Sequence, residues 1–160
     1  MGVLLSRAGR LLSMLREGRV KMRCDNVWLA VAGLVIDQEG KWLVVKKKYG
    51  GLKGVWSLPA GFVNADETAD EAVLREVQEE TGIVTEIIGL AGLRTGVLKG
   101  EVSDNMIIFL LRPVSNEVIP QLEELSEAAF LSVDDILRTE NRSKMLEELV
   151  HMDPAKVRGM

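Results

Sequence analysis

The sequence holds a single cysteine, Cys24, so it can form no internal disulfide. That suits a reducing cytoplasm, where we expect the chain to work. It holds a single histidine, His151, on a polar stretch near the end. We read it as a surface residue and give it no role. No Ser-His-Asp set can be assembled, so nucleophilic acyl chemistry is unsupported. No apolar run is long enough to span a bilayer. The net charge of −4 argues against a general nucleic-acid binder, and DNA is not an expected partner. The glycine-rich stretch 49–54 lacks the Gly-Lys-Ser/Thr of a phosphate-binding Walker loop. Internal repeats and low-complexity segments are absent too.

What remains is an ordinary globular composition, 47% hydrophobic and 28% charged over 160 residues, enough for one domain with a core. The exception is the segment 1–24, with six basic residues against one acidic, and a loose stripe of Leu4, Leu5, Leu11, Leu12, Met14 and Leu15. A basic amphipathic helix touching a membrane surface or RNA is one reading. The plainer one is a helix packed on the domain or on the partner of a homodimer. We place the domain proper at 25–153 and expect a loose tail at 154–160.

Within the domain, 27–36 reads as a long buried strand, 37–40 as a turn and 41–48 as the returning strand. A short strand is expected over 55–58, then a rigid turn into a loop. Further strands are expected near 85–94, 105–111 and 128–131, with a hairpin loop at 95–104. Short helices are expected at 133–137 and 142–151. Strands flanked by helices make this an α/β protein, with a mixed sheet between helices.

One more helix is argued from its ends. Thr68 followed by Glu71 forms a capping box, the residues 69–80 are mostly good helix formers, and Gly82 stands where a left-handed terminator is wanted. At about 100° per residue, Glu76, Glu79 and Glu80 fall within one arc that Ala69 and Ala72 share. Like charges one turn apart repel, and part-buried carboxylates cost more or take up protons. A hard divalent cation with oxygen ligands, such as Mg²⁺, relieves that cost. The plain alternative is a solvated acidic face in which Arg75 pairs with Glu71 and Glu79.

The residues before the helix decide between these readings. Gly61, Glu67, Arg75, Glu76, Val77, Glu79, Glu80, Gly82 and Ile83 follow the spacing of the Nudix box without a mismatch. Leu58-Pro59-Ala60 precedes it, with Ala60 where a second glycine is common, and 54–59 resembles that family's lead-in strand. The resemblance implies an α/β/α sandwich and an enzyme hydrolysing a nucleoside diphosphate linked to some other group. It implies Mg²⁺, or Mn²⁺ in its place, held by Glu76, Glu80 and Glu79 and by the carbonyl of Ala60. It implies that Arg75 orients Glu79 by a two-pronged contact, and that Glu67 tethers the loop to the helix through Arg75. The general base is left open among Glu76, Glu79 and the outside acids Glu123, Glu124 and Glu127.

Substrate contacts are weaker readings. Lys46, Lys47, Lys48 and Lys53 could meet phosphates, or simply be solvated. Trp28, Trp56, Phe62 and Tyr49 could stack on a base, or serve as core or lid. The family's substrate markers are missing. Lys99 stands where a proline marks the ADP-ribose group, and no tyrosine marks a dinucleoside-polyphosphate enzyme. The NADH-type and coenzyme A-type signatures are absent as well. A nucleoside triphosphate, possibly oxidised, is the expected substrate, with a nucleotide sugar or the 5′ end of an RNA as alternatives. Two rival classes are a non-catalytic nucleotide sensor and an isomerase on the same fold. The isomerase needs a catalytic cysteine, and Cys24 precedes the first core strand.

Overall fold

The computed structural model describes residues 26–152. The basic segment 1–24, Cys24 and the tail 154–160 lie outside them. The strand β1 (Val27–Val35) is the spine. From Ala30 to Val35 its side chains are buried on both faces, which is why the sequence shows an unbroken apolar run there. It is flanked by β4 (Ala60–Phe62), antiparallel, and β6 (Val102–Pro113), parallel; β5 (Thr85–Leu98) closes the far edge. This four-stranded sheet is mixed, as expected. A second, antiparallel sheet is added by β2 (Trp42–Lys47), β3 (Trp56–Ser57) and β7 (Leu125–Leu131), in the order β3-β2-β7.

The helix α1 (Ala69–Thr81) covers one face of the mixed sheet. There Ala72, Val73 and Val77 meet Val31, Val35, Phe109 and Leu111. On the other face Ala32, Leu34 and Ile108 meet Trp42 and Val44 of the second sheet. Ile136 of α2 (Val133–Arg138) and Leu146 and Leu149 of α3 (Lys144–Val150) complete that core.

The ends of α1 follow its sequence. The Glu71 carboxylate accepts from the Thr68 amide at 2.9 Å. Gly82 takes φ 72° and donates its amide to the Gln78 carbonyl at 2.8 Å. Two further carbonyls of the last turn are satisfied from outside: the Ile119 amide donates to Thr81 at 2.8 Å and the Gln121 amide to Glu80 at 2.9 Å. These bonds dock the segment leading into β7 against the helix end.

Three local expectations change. The loop expected after Pro59 holds the short strand β4, whose residues pair Ala60 with Ala32, Gly61 with Val31 and Phe62 with Ala30. Three residues are too few to show a period. The expected loop 95–104 is mostly strand. β5 and β6 pair out to Leu98 and Val102, and the chain reverses over Lys99 (φ 51°) and Gly100 (φ 73°). Gly96 and Gly100 read as loop residues; cross-strand pairing carries β5 on through Gly96 to Leu98, with bulges earlier between Ile87 and Gly89 and between Leu90 and Gly92. The last helix starts at Lys144, because Ser143 caps it. Arg142 instead donates to the carbonyls of Ile136, Leu137 and Thr139 at the end of α2.

Candidate active site

Gly61 sets the geometry. A Cβ built there would lie 2.1 Å from the Glu76 carboxyl carbon, so only glycine at this place in β4 leaves the Glu76 carboxylate where it stands. The three helix carboxylates then meet different environments. Glu80 is 2% exposed; Glu76 is largely covered; Glu79 is open to solvent. The shared apolar arc therefore buries Glu80 fully, Glu76 in part and Glu79 hardly at all.

Arg75 organises the entrance. Its Nε and Nη2 donate to the two oxygens of Glu67 at 2.9 and 2.6 Å, a two-pronged grip. Nη1 donates to Glu76 at 2.7 Å and to Glu79 at 3.0 Å, and Nη2 reaches the Phe62 carbonyl at 3.2 Å. The two-pronged contact expected for Glu79 thus goes to Glu67, because the box loop folds back over the helix and brings Glu67 alongside the guanidinium. The Asn64 amide donates to the same carboxylate at 2.8 Å. The Arg75 hydrogen bond, with the Asn64 amide second, lowers the Glu67 pKa to about 2.

Glu80 is held from the other side. The Ala60 amide donates to its Oε2 at 3.2 Å, and the Lys47 ammonium lies 3.0 Å from its Oε1 and 3.2 Å from the Ala60 carbonyl. Burial pushes the Glu80 carboxyl up, against the pull of Lys47. Lys47 reaches inward because the two-residue alternation of β2 puts it on the face of Leu43 and Val45, the face that packs toward α1. Lys46 turns the other way, to Glu127 at 2.7 Å and over the Trp56 ring at 4.5 Å.

An open hollow of about 330 Å³ collects Lys47, Ala60, Gly61, Phe62, Glu76, Glu79 and Glu80, together with Asn64, Gln121 and Glu124. Of the outside acids weighed for the general base, Glu124 alone is brought to it. Glu127 is engaged by Lys46, and Lys53 sits exposed on the 49–54 connection. Trp56 is 9% exposed, part of the core and covered by Lys46, so it offers no free face for stacking. Phe62 and Trp28 remain open and pack edge to face, ring centres 5.8 Å apart. Asn64 and Gln121 had no signal of their own in the sequence. Gln121 arrives through its backbone bond to the end of α1.

The donors fit a hard divalent cation: carboxylate oxygens of Glu76 and Glu80 and the Ala60 carbonyl, with a cationic ammonium already between two of them. Among the described residues no three acidic or histidine side chains yet converge on one point. Arg75 and Lys47 hold the carboxylates instead. An apolar groove of about 350 Å³, lined by Leu34, Trp42, Ile88, Ala91, Leu110 and Leu149, carries no such acid cluster. Among the described residues no helix is long and apolar enough to cross a membrane.

Fold and site define a class, and comparison with known proteins agrees. The model of the NUDIX domain matches residues 27–150, and the chain belongs to that family. It is similar to Nudix hydrolase 8 of Arabidopsis thaliana, 31% identical over 134 residues, which cover 81% of this chain and 36% of the relative. It is also similar to the ADP-ribose pyrophosphatase of Methanocaldococcus jannaschii, 33% identical over 111 residues, covering 68% of this chain and 63% of that protein. The chain thus spans between about a third and two thirds of these relatives. The crystal structure of a MutT protein from Methanosarcina mazei Go1 superposes with a TM-score of 0.66 at 29% identity, covering 78% of this chain and 90% of that one.

Proposed function

We propose that this chain hydrolyses a pyrophosphate bond in a nucleoside diphosphate linked to another group, in a reaction that depends on Mg²⁺ and accepts Mn²⁺. The observation that carries the reading is the gathering of Glu76, Glu79, Glu80 and the Ala60 carbonyl on one open hollow. When bound, the divalent cation clamps the phosphates, offsets their charge and lowers the pKa of water. Glu76, Glu80 and the Ala60 carbonyl would hold it, with Glu79 at the edge of the cluster. Arg75, anchored on Glu67, orients Glu76 and Glu79. Water attacks phosphorus, the P–O bond to the bridging oxygen breaks, and the water's proton passes to an acid on the hollow. Glu79 and Glu124 are its most open acids. Phe62 and Trp28 are placed to pack against a nucleoside.

We infer a nucleoside triphosphate or a related nucleotide as the substrate. The relative named for ADP-ribose speaks for that compound instead. Against it, Lys99 sits with positive φ at the tip of the β5–β6 hairpin, a conformation closed to the marker proline. A sensor or an isomerase is disfavoured by the full set of Arg75, Glu76, Glu79 and Glu80. The test is a panel of nucleoside triphosphates, nucleotide sugars, dinucleotides, ADP-ribose and triphosphorylated RNA, each with Mg²⁺. Metal-dependent release of nucleotide or phosphate is expected. Tight binding without turnover, or allylic rearrangement, would overturn the reading.

A further inference from the structure

Lys47 is the most unusual group in the hollow. Its ammonium contacts two oxygens, the Ala60 carbonyl at 3.2 Å and Glu80 Oε1 at 3.0 Å, and these belong to the donors read above as the cation's. The second Glu80 oxygen is taken by the Ala60 amide. A carboxylate that is 2% exposed needs a positive partner, and Lys47 supplies it. Arg75 differs. It is anchored by its fork on Glu67 and by the Phe62 carbonyl, so it stays in place whatever enters the hollow. Lys47 is partly open to solvent and itself lines the hollow, so its flexible stem has somewhere to go.

We propose that Lys47 is a resident counter-cation, which neutralises Glu80 in the metal-free protein and competes with the incoming divalent cation for Glu80 Oε1 and the Ala60 carbonyl. An ammonium and a divalent cation on the same oxygens repel each other at contact distance, so each weakens the other's hold. Arrival of the metal therefore moves the ammonium outward into the hollow, toward the space a phosphate chain would fill. The lysine thus keeps a buried carboxylate ready without metal and sets a threshold for metal binding. A lysine that merely braced the fold would, when removed, leave metal affinity unchanged or weaker.

The proposal rests on reading the hollow as a divalent-cation seat. It is tested with Mn²⁺ alone, without nucleotide, on the full chain. Binding is followed by electron paramagnetic resonance or calorimetry at one near-neutral pH, the same for every protein. Lys47→Met is expected to bind Mn²⁺ about tenfold tighter than the wild type, because a competing charge is gone. Without metal it is expected to melt at a lower temperature, and saturating Mn²⁺ should restore the loss. Lys47→Gln, which keeps hydrogen-bonding capacity without charge, should also bind more tightly if the methionine variant folds poorly. Lys46→Met removes a neighbouring charge directed away from the hollow and should leave Mn²⁺ affinity unchanged. Equal or weaker binding by both Lys47 variants, with the wild type binding normally, would overturn the competition alone. Absence of Mn²⁺ binding in every protein would overturn the cation seat and the competition together.

Discussion

Gly61 and Glu76 stand so close that a single methyl group cannot come between them: a Cβ on residue 61 would fall 2.1 Å from the carboxyl carbon. The strand that supplies the Ala60 carbonyl and the helix that supplies Glu76 thus meet at this glycine. Gly61→Ala should leave the fold intact, because Glu76 can swing away, yet it displaces a proposed metal ligand. A displacement of this size costs about a hundredfold in turnover. Steady-state kinetics beside a melting curve will check this, and an alanine variant of undiminished rate would contradict the close approach.

Glu76→Gln keeps the side chain's shape and removes its charge. Turnover should drop by orders of magnitude while the circular dichroism spectrum and melting temperature stay near wild type. A rate close to wild type would remove Glu76 from the metal and base roles given to it here.

Glu67 ties stability to acid. Its pKa is lowered from about 4.5 to about 2 by the Arg75 fork, so it stabilises the folded form above its ordinary value. That contribution is lost as pH falls from about 4.5 toward about 2. Wild type should therefore lose melting temperature over this window more steeply than Glu67→Gln. Parallel curves would show that the fork does little for the fold.

Glu80 follows the opposite sign. Burial raises its pKa, so its ionisation opposes folding increasingly as pH rises past the ordinary carboxylate value. Glu80→Gln should melt no lower than wild type at neutral pH in the absence of metal. It should also lose the stabilisation that Mn²⁺ gives the parent. Thermal melts with and without Mn²⁺ decide the matter, and a metal-induced shift of parental size would exclude Glu80 as a ligand.

Phe62 is open to solvent beside the hollow, with Trp28 against its edge. Truncating an aromatic that packs on a base costs about 1–3 kcal/mol of binding. Phe62→Ala should raise KM about fivefold or more and leave kcat within a factor of about two, the split expected when ground state and transition state lose the same contact. A fall in kcat at constant KM would point to a role in chemistry instead.

Much of this protein was legible in one dimension, because the signals were local. The capping box, Gly82 and the periodicity of 69–81 specify α1 through bonds and contacts a few residues apart. The spacing of Gly61, Glu67, Arg75, Glu76, Glu79 and Glu80 pointed to the candidate site for the same reason. Distance in sequence hid the rest. That Lys47 rather than Lys53 enters the hollow depends on where the fold sets β2 against Ala60 and Glu80, and Trp56 loses its free face to Lys46 and the core. Arg75 grips Glu67 with both prongs because the loop folds back, and Glu124 reaches the hollow through amides docked on the end of α1. Residue type and spacing by themselves determined which groups can carry the chemistry. Long-range backbone pairing and burial, which one-dimensional spacing does not encode, decided which of those groups meet and which one is left facing water.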